Sequence, residues 1–335
     1  MADHWRLRWQ PLPLRRWCRD GAQRHDPGLR LELDDPHGRQ VAGEISPLPE
    51  RRQSGADPLH GGHLQELQRQ LESADLTAGR QKLERWLHRT ACQHPCTAFA
   101  LGSALWRLDQ QGHSHGAGSM PTGAGTNTDA GSPDAEHPWP TVGLLPSGAA
   151  ALTALERGLA RGWRCWKWKI GALPWRQEQP LLAALLAMVT PVAGQLRLDA
   201  NGRLDTAALS HWLEAAVDPR IGWLEQPLAP TDPLLERLLA SSPIPGVQLA
   251  LDESLAHLDQ VEHLLRAPPA SEPLLVVKPS QLGDPRRLAG LLRAWPGRCV
   301  VSSGFEGRLG QAVVHDLAKL AAAGGSPAPG LGATA

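Results

Sequence analysis

The sequence predicts an α/β protein, a (β/α)8-type (modified TIM) barrel preceded by an N-terminal α+β capping domain. A polar residue closes each of six successive apolar runs in the C-terminal half, at intervals of 30, 26, 27, 26 and 25 residues. Each interval is close to the length of one strand, one helix and two short loops. The six residues are Lys169, Asp199, Glu225, Asp252, Lys278 and Ser303. Because the functional residues of a (β/α)8 barrel lie at the carboxyl ends of its strands, this repeat predicts an active-site mouth.

Seven strand–helix units are visible in this half. The strands are predicted at residues 141–145, 165–170, 195–199, 221–225, 247–252, 273–278 and 298–303. Helical patterns such as ALTALERGLA and PRRLAGLLRAW lie between them. The eighth strand has to come from APGLGATA at the end of the sequence.

The N-terminal part follows a different pattern. Residues 1–46 read as strands joined by a turn at DPHGRQ, and residues 62–107 read as helices with leucines three and four apart. These patterns predict an α+β capping domain over residues 1–109. Residues 110–138 are almost devoid of apolar side chains and predict a low-complexity linker or insertion. The barrel catalytic domain then covers residues 139–335.

Composition and charge exclude several classes of protein. The 34 basic and 34 acidic residues cancel, which argues against general binding to nucleic acid or to a membrane surface. No apolar run reaches the roughly 20 residues of a membrane span, and the polar start MADHWRLRWQ lacks the apolar core of a signal peptide. The five cysteines form no CxxC pair, and their odd number is typical of a protein whose thiols stay reduced. We therefore expect a cytoplasmic protein with no obligate protein partner.

Three of the recurring residues are carboxylates on consecutive predicted strands, and they predict a metal site. Asp199, Glu225 and Asp252 would converge at the barrel mouth, where their mutual repulsion raises their pKa values unless a cation neutralises them. An all-oxygen ligand set without nearby His or Cys favours Mg2+ or Mn2+. Each residue taken alone could instead be a loop carboxylate or a helix cap.

Lysines flank this carboxylate triad. Lys167 and Lys169 alternate with Trp168, so both point to one face of a strand, into the barrel, and Lys278 follows the sixth strand. Two ammonium groups so close together, with a metal ion nearby, lower the pKa of at least one of them, which can then act as a general base. The alternative is that the KWK segment is a solvated edge strand.

A general base, a second lysine and a metal ion together suit one type of reaction. The carboxylate of a small-molecule substrate would bind the metal, the base would remove the α-proton, and the metal would stabilise the resulting enediolate. The expected partner is therefore a small carboxylic acid.

These motifs resemble those of the enolase superfamily, in the muconate-cycloisomerase-like branch that carries Lys-x-Lys on the second barrel strand and a single Lys on the sixth. Two segments are similar to the o-succinylbenzoate synthase family within that branch. GEISPLP at 43–49 is similar to its GEISPLPGFS segment, and SSGFEG at 302–307 to its SSSxES motif. The chain departs from these motifs where Gly304 and Gly307 replace serines and where ERRQ replaces GFS.

The resemblance implies a syn dehydration of 2-succinyl-6-hydroxy-2,4-cyclohexadiene-1-carboxylate to 2-succinylbenzoate, a step toward menaquinone or phylloquinone. It makes Lys169 the base and then the acid, and Lys278 a cation held over the ring. Lys167 would tune Lys169 and help to hold the substrate carboxylate. The resemblance also implies that Asp199, Glu225 and Asp252 bind the metal and that Ser303, Gly304 and Gly330 approach the substrate carboxyl groups.

Two other interpretations stay open at this point. A dipeptide epimerase or N-acylamino-acid racemase of the same branch would use the same residues, with Lys278 as a second acid or base. A non-catalytic barrel that binds a metal or a partner is a more distant alternative, since it would not need every ligand and lysine to be present.

Overall fold

The chain folds into two compact units. The computed structural model describes residues 4–17, 23–48, 59, 61–72, 74–113, 142–331 and 333–334. The first unit comprises Met1–Glu136, Pro279–Gly290 and Ser303–Leu317, and the second comprises His137–Lys278, Leu291–Ser302 and Ala318–Ala335. Two short pieces from late in the sequence thus belong to the first unit. Most of the predicted linker, from residue 114 onward, lies outside the described residues, so its role stays a prediction.

The first unit is built from an antiparallel sheet and three helices, as the sequence predicts. Its strands are β1 (Arg6–Trp17), β2 (Gln23–Asp34) and β3 (Gln40–Ile45), and its helices are α1 (Gly62–Leu71), α2 (Leu76–Thr90) and α3 (Pro95–His113). Alternate leucines of β2, such as Leu31 and Leu33, are fully buried in one core with the apolar faces of the helices. Helix α3 extends four residues into the segment predicted as a linker.

The second unit contains a parallel eight-stranded sheet. Its strands in chain order are β4 (Val142–Leu145), β5 (Cys165–Lys169), β6 (Gln195–Asp199), β7 (Ile221–Glu225), β8 (Leu249–Leu251), β9 (Leu274–Val277), β10 (Cys299–Val301) and β11 (Ala333–Thr334). The spatial order is β10-β9-β8-β7-β6-β5-β4-β11. Seven of these strands lie inside the seven predicted ranges, which confirms the barrel repeat.

Helices separate the strands throughout. They are α4 (Ala150–Ala160), α5 (Trp175–Val189), α6 (Thr206–Ala215), α7 (Pro233–Ala240), α8 (Leu258–Arg266), α9 (Pro279–Leu282), α10 (Pro285–Ala294) and α11 (Arg308–Ala323). A short 3-10 helix, Thr190–Val192, follows α5. Among the described residues, no helix is both long enough and apolar enough to cross a membrane.

The last residues of the chain supply the eighth strand, as the sequence predicts. Strand β11 pairs in parallel with β4, and Gly330 forms a parallel bridge with Ser302, directly after β10. The C-terminal segment therefore pairs with both edges of the seven-stranded sheet.

A buried carboxylate holds the loop that follows β5. Glu178, in the first turn of α5, is fully buried and accepts hydrogen bonds from the backbone N–H groups of Gly171 (2.8 Å), Ala172 (3.2 Å) and Leu173 (3.2 Å). Three N–H donors satisfy a carboxylate that would otherwise be costly to bury. The loop after Lys169 is fixed in this way against the helix that follows it.

Two helical glycines of the first unit give opposite predictions for the same substitution. A Cβ added to Gly79 of α2 would lie 2.0 Å from Trp5 Cδ1, whereas one added to Gly290 of α10 would meet no atom within 4 Å. Alanine in a helix is ordinarily more stable than glycine by about 1 kcal/mol. We expect Gly290→Ala to stabilise the protein by about 0.5–1 kcal/mol and Gly79→Ala to destabilise it by about 1–3 kcal/mol.

Urea unfolding of both variants checks this prediction. Equal stability of the two variants would contradict the close packing of Trp5 on α2.

Candidate active site

The barrel brings the predicted polar residues to one end of the sheet. Lys169, Asp199 and Glu225 are the last residues of β5, β6 and β7, and they are neighbours in the strand register. Asp252 directly follows β8, and Lys278 directly follows β9. Parallel strands place these ends on the same side of the sheet.

Four of these side chains form a continuous set of ion pairs. The Nζ atom of Lys167 lies 2.5 Å from Glu225 Oε1 and 2.8 Å from Asp199 Oδ2. Lys169 Nζ lies 2.5 Å from the same Asp199 oxygen. Both lysines therefore point into the barrel, and the alternative of a solvated edge strand is wrong.

The other two residues form a second pair beside the first set. Lys278 Nζ lies 2.6 Å from Asp252 Oδ2. The charge of Asp252 also raises the pKa values of Lys167 and Glu225, so the electrostatic coupling extends from one pair to the other. One charged cluster within the second unit thus contains Lys167, Lys169, Asp199, Glu225, Asp252 and Lys278. Ser303, the last member of the strand-end series, belongs to the first unit instead.

The three carboxylates are buried to an extent that requires nearby positive charge. Their exposed fractions are 0% for Asp199, 1% for Glu225 and 5% for Asp252. Burial raises the pKa of Glu225 to about 7, reinforced by the two aspartates and opposed by Lys167. Lys167 and Lys169 hold the pKa of Asp199 below its ordinary value, although burial alone would raise it. Three buried carboxylates with oxygen donors only could hold a hard divalent cation, so the donor set fits the predicted metal.

The lysines differ in their affinity for a proton. Burial, together with repulsion by Lys167, lowers the pKa of Lys169 in spite of its contact with Asp199. Burial would also lower the pKa values of Lys167 and Lys278, but the neighbouring carboxylates outweigh it and raise both. This direction agrees with the sequence-based expectation that at least one lysine has a lowered pKa.

A buried glutamine that the sequence analysis missed supports the triad. The side-chain Oε1 of Gln226 accepts hydrogen bonds from the backbone N–H groups of Asp252 and Ser254, each at 3.1 Å. Its Nε2 donates to Ser254 Oγ at 2.8 Å and to the carbonyl of Leu228 at 2.9 Å. Gln226 thereby fixes the backbone that carries Asp252. Its place directly after Glu225 was the available signal.

A fourth carboxylate, also missed, lies beside the cluster. Asn201 Nδ2 donates to Glu253 Oε1 at 2.9 Å, and the backbone N–H of Asn201 donates to Asp199 Oδ1 at 3.0 Å. Burial and the charge of Asp252 raise the pKa of Glu253. The sequence places Glu253 directly after Asp252, and this adjacency was the available signal that a fourth carboxylate lies beside the other three.

The residues expected to approach substrate carboxyl groups are engaged with other partners. Ser303 Oγ donates to Glu306 Oε2 at 2.7 Å, and the N–H of Gly304 donates to Glu306 Oε1 at 2.8 Å. These three residues belong to the first unit. In the second unit, the N–H of Gly330 donates to the carbonyl of Val301 at 2.8 Å. The sequence analysis missed Glu306, although it lies within the quoted SSGFEG motif.

Gly304 leaves room for another donor to Glu306. A Cβ at position 304 would lie 2.8 Å from Ser280 Oγ, a hydroxyl that itself donates to Glu306. The glycine at position 304 thus leaves space for the Ser280 hydroxyl beside Glu306.

Comparison with known proteins agrees with this architecture. The family model described as Enolase C-terminal domain-like matches residues 150–315. The o-succinylbenzoate synthase of Thermosynechococcus vestitus is 30% identical over 325 residues, covering 95% of this chain and 88% of that protein.

Solved structures give the same result at the level of the fold. The crystal structure of o-succinylbenzoate synthase from Thermosynechococcus elongatus BP-1, complexed with Mg in the active site, has a TM-score of 0.73 and 28% identity. The match covers 98% of this chain and 92% of that one. A dipeptide epimerase from Enterococcus faecalis has a TM-score of 0.69 at 15% identity, covering 98% and 89%, and shares the fold alone. The chain belongs to the o-succinylbenzoate synthase family of the metal-dependent enolase superfamily.

Proposed function

We propose that this protein is a carbon–oxygen lyase that dehydrates 2-succinyl-6-hydroxy-2,4-cyclohexadiene-1-carboxylate to 2-succinylbenzoate. Family membership supports the reaction, and the charged cluster at the barrel mouth contains the side chains that the reaction needs. Such a reaction suits a cytoplasmic enzyme of quinone biosynthesis.

The observation that carries the proposal is the match to o-succinylbenzoate synthase over 95% of this chain, and the surroundings of the two flanking lysines agree with it. Burial lowers the pKa of Lys169, as suits a base, while Asp252 and Glu253 raise the pKa of Lys278 in spite of its burial. A syn elimination needs one lysine that exchanges protons and one that stays a cation. A two-base epimerase would need both lysines to exchange protons.

In the proposed reaction, Lys169 performs both proton steps. Its neutral amine takes the α-proton of the substrate, and the electron pair left on the α-carbon forms the new double bond as the C–O bond breaks. The ammonium group then gives its proton to the departing hydroxyl, which leaves as water. Lys278 holds a positive charge over the ring, and Lys167 tunes Lys169 and helps to hold the substrate carboxylate.

Asp199, Glu225 and Asp252 are the proposed ligands of a divalent cation, either Mg2+ or Mn2+. An all-oxygen site fits both ions. When bound, the cation would supply positive charge to the substrate carboxylate and to the charge that develops as the α-proton leaves.

Ser303, Gly304 and Gly330 remain the residues proposed to approach the substrate carboxyl groups. In the present structure Glu306 accepts from Ser303 and Gly304, so a substrate carboxylate would have to exchange with that carboxylate. The exchange replaces one carboxylate by another in the same hydrogen bonds and preserves their charge-assisted character.

The test is an assay with two kinds of substrate. Purified protein is given the cyclohexadiene carboxylate, prepared by a coupled enzyme, or a panel of dipeptides and N-acylamino acids. We expect 2-succinylbenzoate to form, the activity to vanish with a chelator, and Mg2+ to restore it. Deuterium exchange from D2O at the α-carbon of a dipeptide, without formation of 2-succinylbenzoate, would favour the epimerase instead.

Substitution of Lys169 and Lys278 distinguishes proton transfer from charge stabilisation. Lys169→Ala should abolish turnover because one residue performs both proton steps. Lys278→Arg keeps a cation and should retain part of kcat. Arginine has a pKa above about 12 and does not exchange protons at neutral pH. Equal and complete loss of activity in both variants would count against the elimination and for a two-base mechanism.

Metal binding should release a proton from Glu225. Burial raises the pKa of Glu225 to about 7. In the metal-free protein, the stability that this group contributes is therefore present below the pKa that Glu225 has in the unfolded chain, and it is lost as the pH rises through 7. A cation requires the carboxylate form, so binding should release ~0.9 proton per ion at pH 6 and ~0.1 at pH 8.

Titration calorimetry of Mg2+ binding in buffers of different ionisation enthalpy measures this number. Equal proton release at the two pH values would contradict the raised pKa of Glu225.

A further inference from the structure

Glu225 is held by a different donor at each of its two carboxylate oxygens. Lys167 Nζ lies 2.5 Å from Oε1, and the indole Nε1 of Trp223 donates to Oε2 at 3.1 Å. Trp223 is buried and lies two residues before Glu225 on β7, so both side chains point into the barrel. A carboxylate held at both oxygens has a fixed plane.

A buried arginine holds the ring of Trp223. The guanidinium carbon of Arg197 lies 4.1 Å from the centroid of the Trp223 ring, within the range of a cation–π contact. Arg197 and Trp223 are neighbours in the register of β6 and β7, as are Asp199 and Glu225 two residues further on. The Arg197–Trp223 pair therefore lies directly beneath a pair of proposed metal ligands.

The C-terminal segment holds the arginine in turn. Arg197 Nη1 donates to the carbonyl of Ala328 at 2.8 Å, two residues before Gly330 bridges to Ser302. A continuous series of contacts thus runs from the segment that supplies the eighth strand, through Arg197 and Trp223, to Glu225.

We propose that Trp223 is a positioning residue for Glu225, and that Arg197 keeps its indole ring in the orientation that the Nε1–Glu225 hydrogen bond requires. The inference rests on the proposed function, in which Glu225 binds the cation. Hydrogen-bond partners of metal ligands orient those ligands, and their loss typically weakens metal binding by roughly 10- to 100-fold.

The experiment measures the Kd for Mg2+ by titration calorimetry in the full-length protein. Trp223→Phe removes the indole N–H and should raise this Kd by roughly 10- to 100-fold. Saturating Mg2+ should restore most of kcat, since Glu225 itself is still present. Arg197→Met should raise the Kd by a smaller factor, because the indole N–H remains and only the orientation of its ring is loosened.

Trp166→Phe is the matched control. Trp166 is also fully buried on a barrel strand, and its Nε1 has no hydrogen-bond partner among the described residues. Its substitution removes the same atoms and should leave the Kd for Mg2+ unchanged. If Trp223→Phe does not fold, an isostere that replaces the Trp223 indole N–H by sulfur, introduced by codon suppression, keeps the ring shape and tests the same hydrogen bond.

The outcomes are distinct. An unchanged Kd in Trp223→Phe or in the isostere would overturn the inference while leaving the metal site intact. An equal rise in Trp166→Phe would also overturn it, because loss of packing would then suffice. Failure of the unmodified protein to bind Mg2+ or Mn2+, or unchanged binding in Glu225→Gln, would instead contradict the proposed function.

Discussion

The burial of three carboxylates at the ends of neighbouring parallel strands is the constraint on which the rest of the site depends. Asp199, Glu225 and Asp252 are almost inaccessible to water, and like charges so placed must be neutralised or protonated. In this structure the lysines supply the neutralising charge through short ion pairs. The same contacts make the lysines unequal, and in the proposed reaction this inequality suits one lysine to proton transfer and the other to a lasting positive charge.

Uncharged groups and backbone hydrogen bonds hold this cluster in place. Gln226 fixes the backbone at Asp252, Trp223 donates to Glu225, and Glu178 binds the loop after Lys169. Each of these hydrogen bonds satisfies a buried polar group and at the same time limits the movement of Asp252, of Glu225 or of the loop after Lys169. The rigidity of the cluster therefore arises from the same hydrogen bonds that make its burial tolerable.

Much of the fold and the central part of the site could be predicted from the sequence because strand ends recur with a regular period. A reactive residue at each strand end, such as Asp199 or Glu225, has its position fixed by local chain geometry, so spacing alone brings such residues together. The family resemblance added the choice of reaction.

The supporting groups could not be predicted in this way. Gln226, Trp223 and Glu306 act through hydrogen bonds whose partners depend on side-chain orientation and on residues distant in sequence, as when Glu306 accepts from Ser280. Spacing also gave no sign that Pro279–Gly290 and Ser303–Leu317 belong to the first compact unit. Packing between distant segments decides that assignment.

The most direct test of the account is to locate a bound cation. Crystals grown with Mn2+ and measured at the manganese absorption edge should show one strong anomalous peak per chain at the barrel mouth. We expect it to lie about 2.1 Å from oxygens of Asp199, Glu225 and Asp252, with the lysine amines moved away from those oxygens. A structure with Mn2+ at saturating concentration but no peak among these three carboxylates would contradict the central claim.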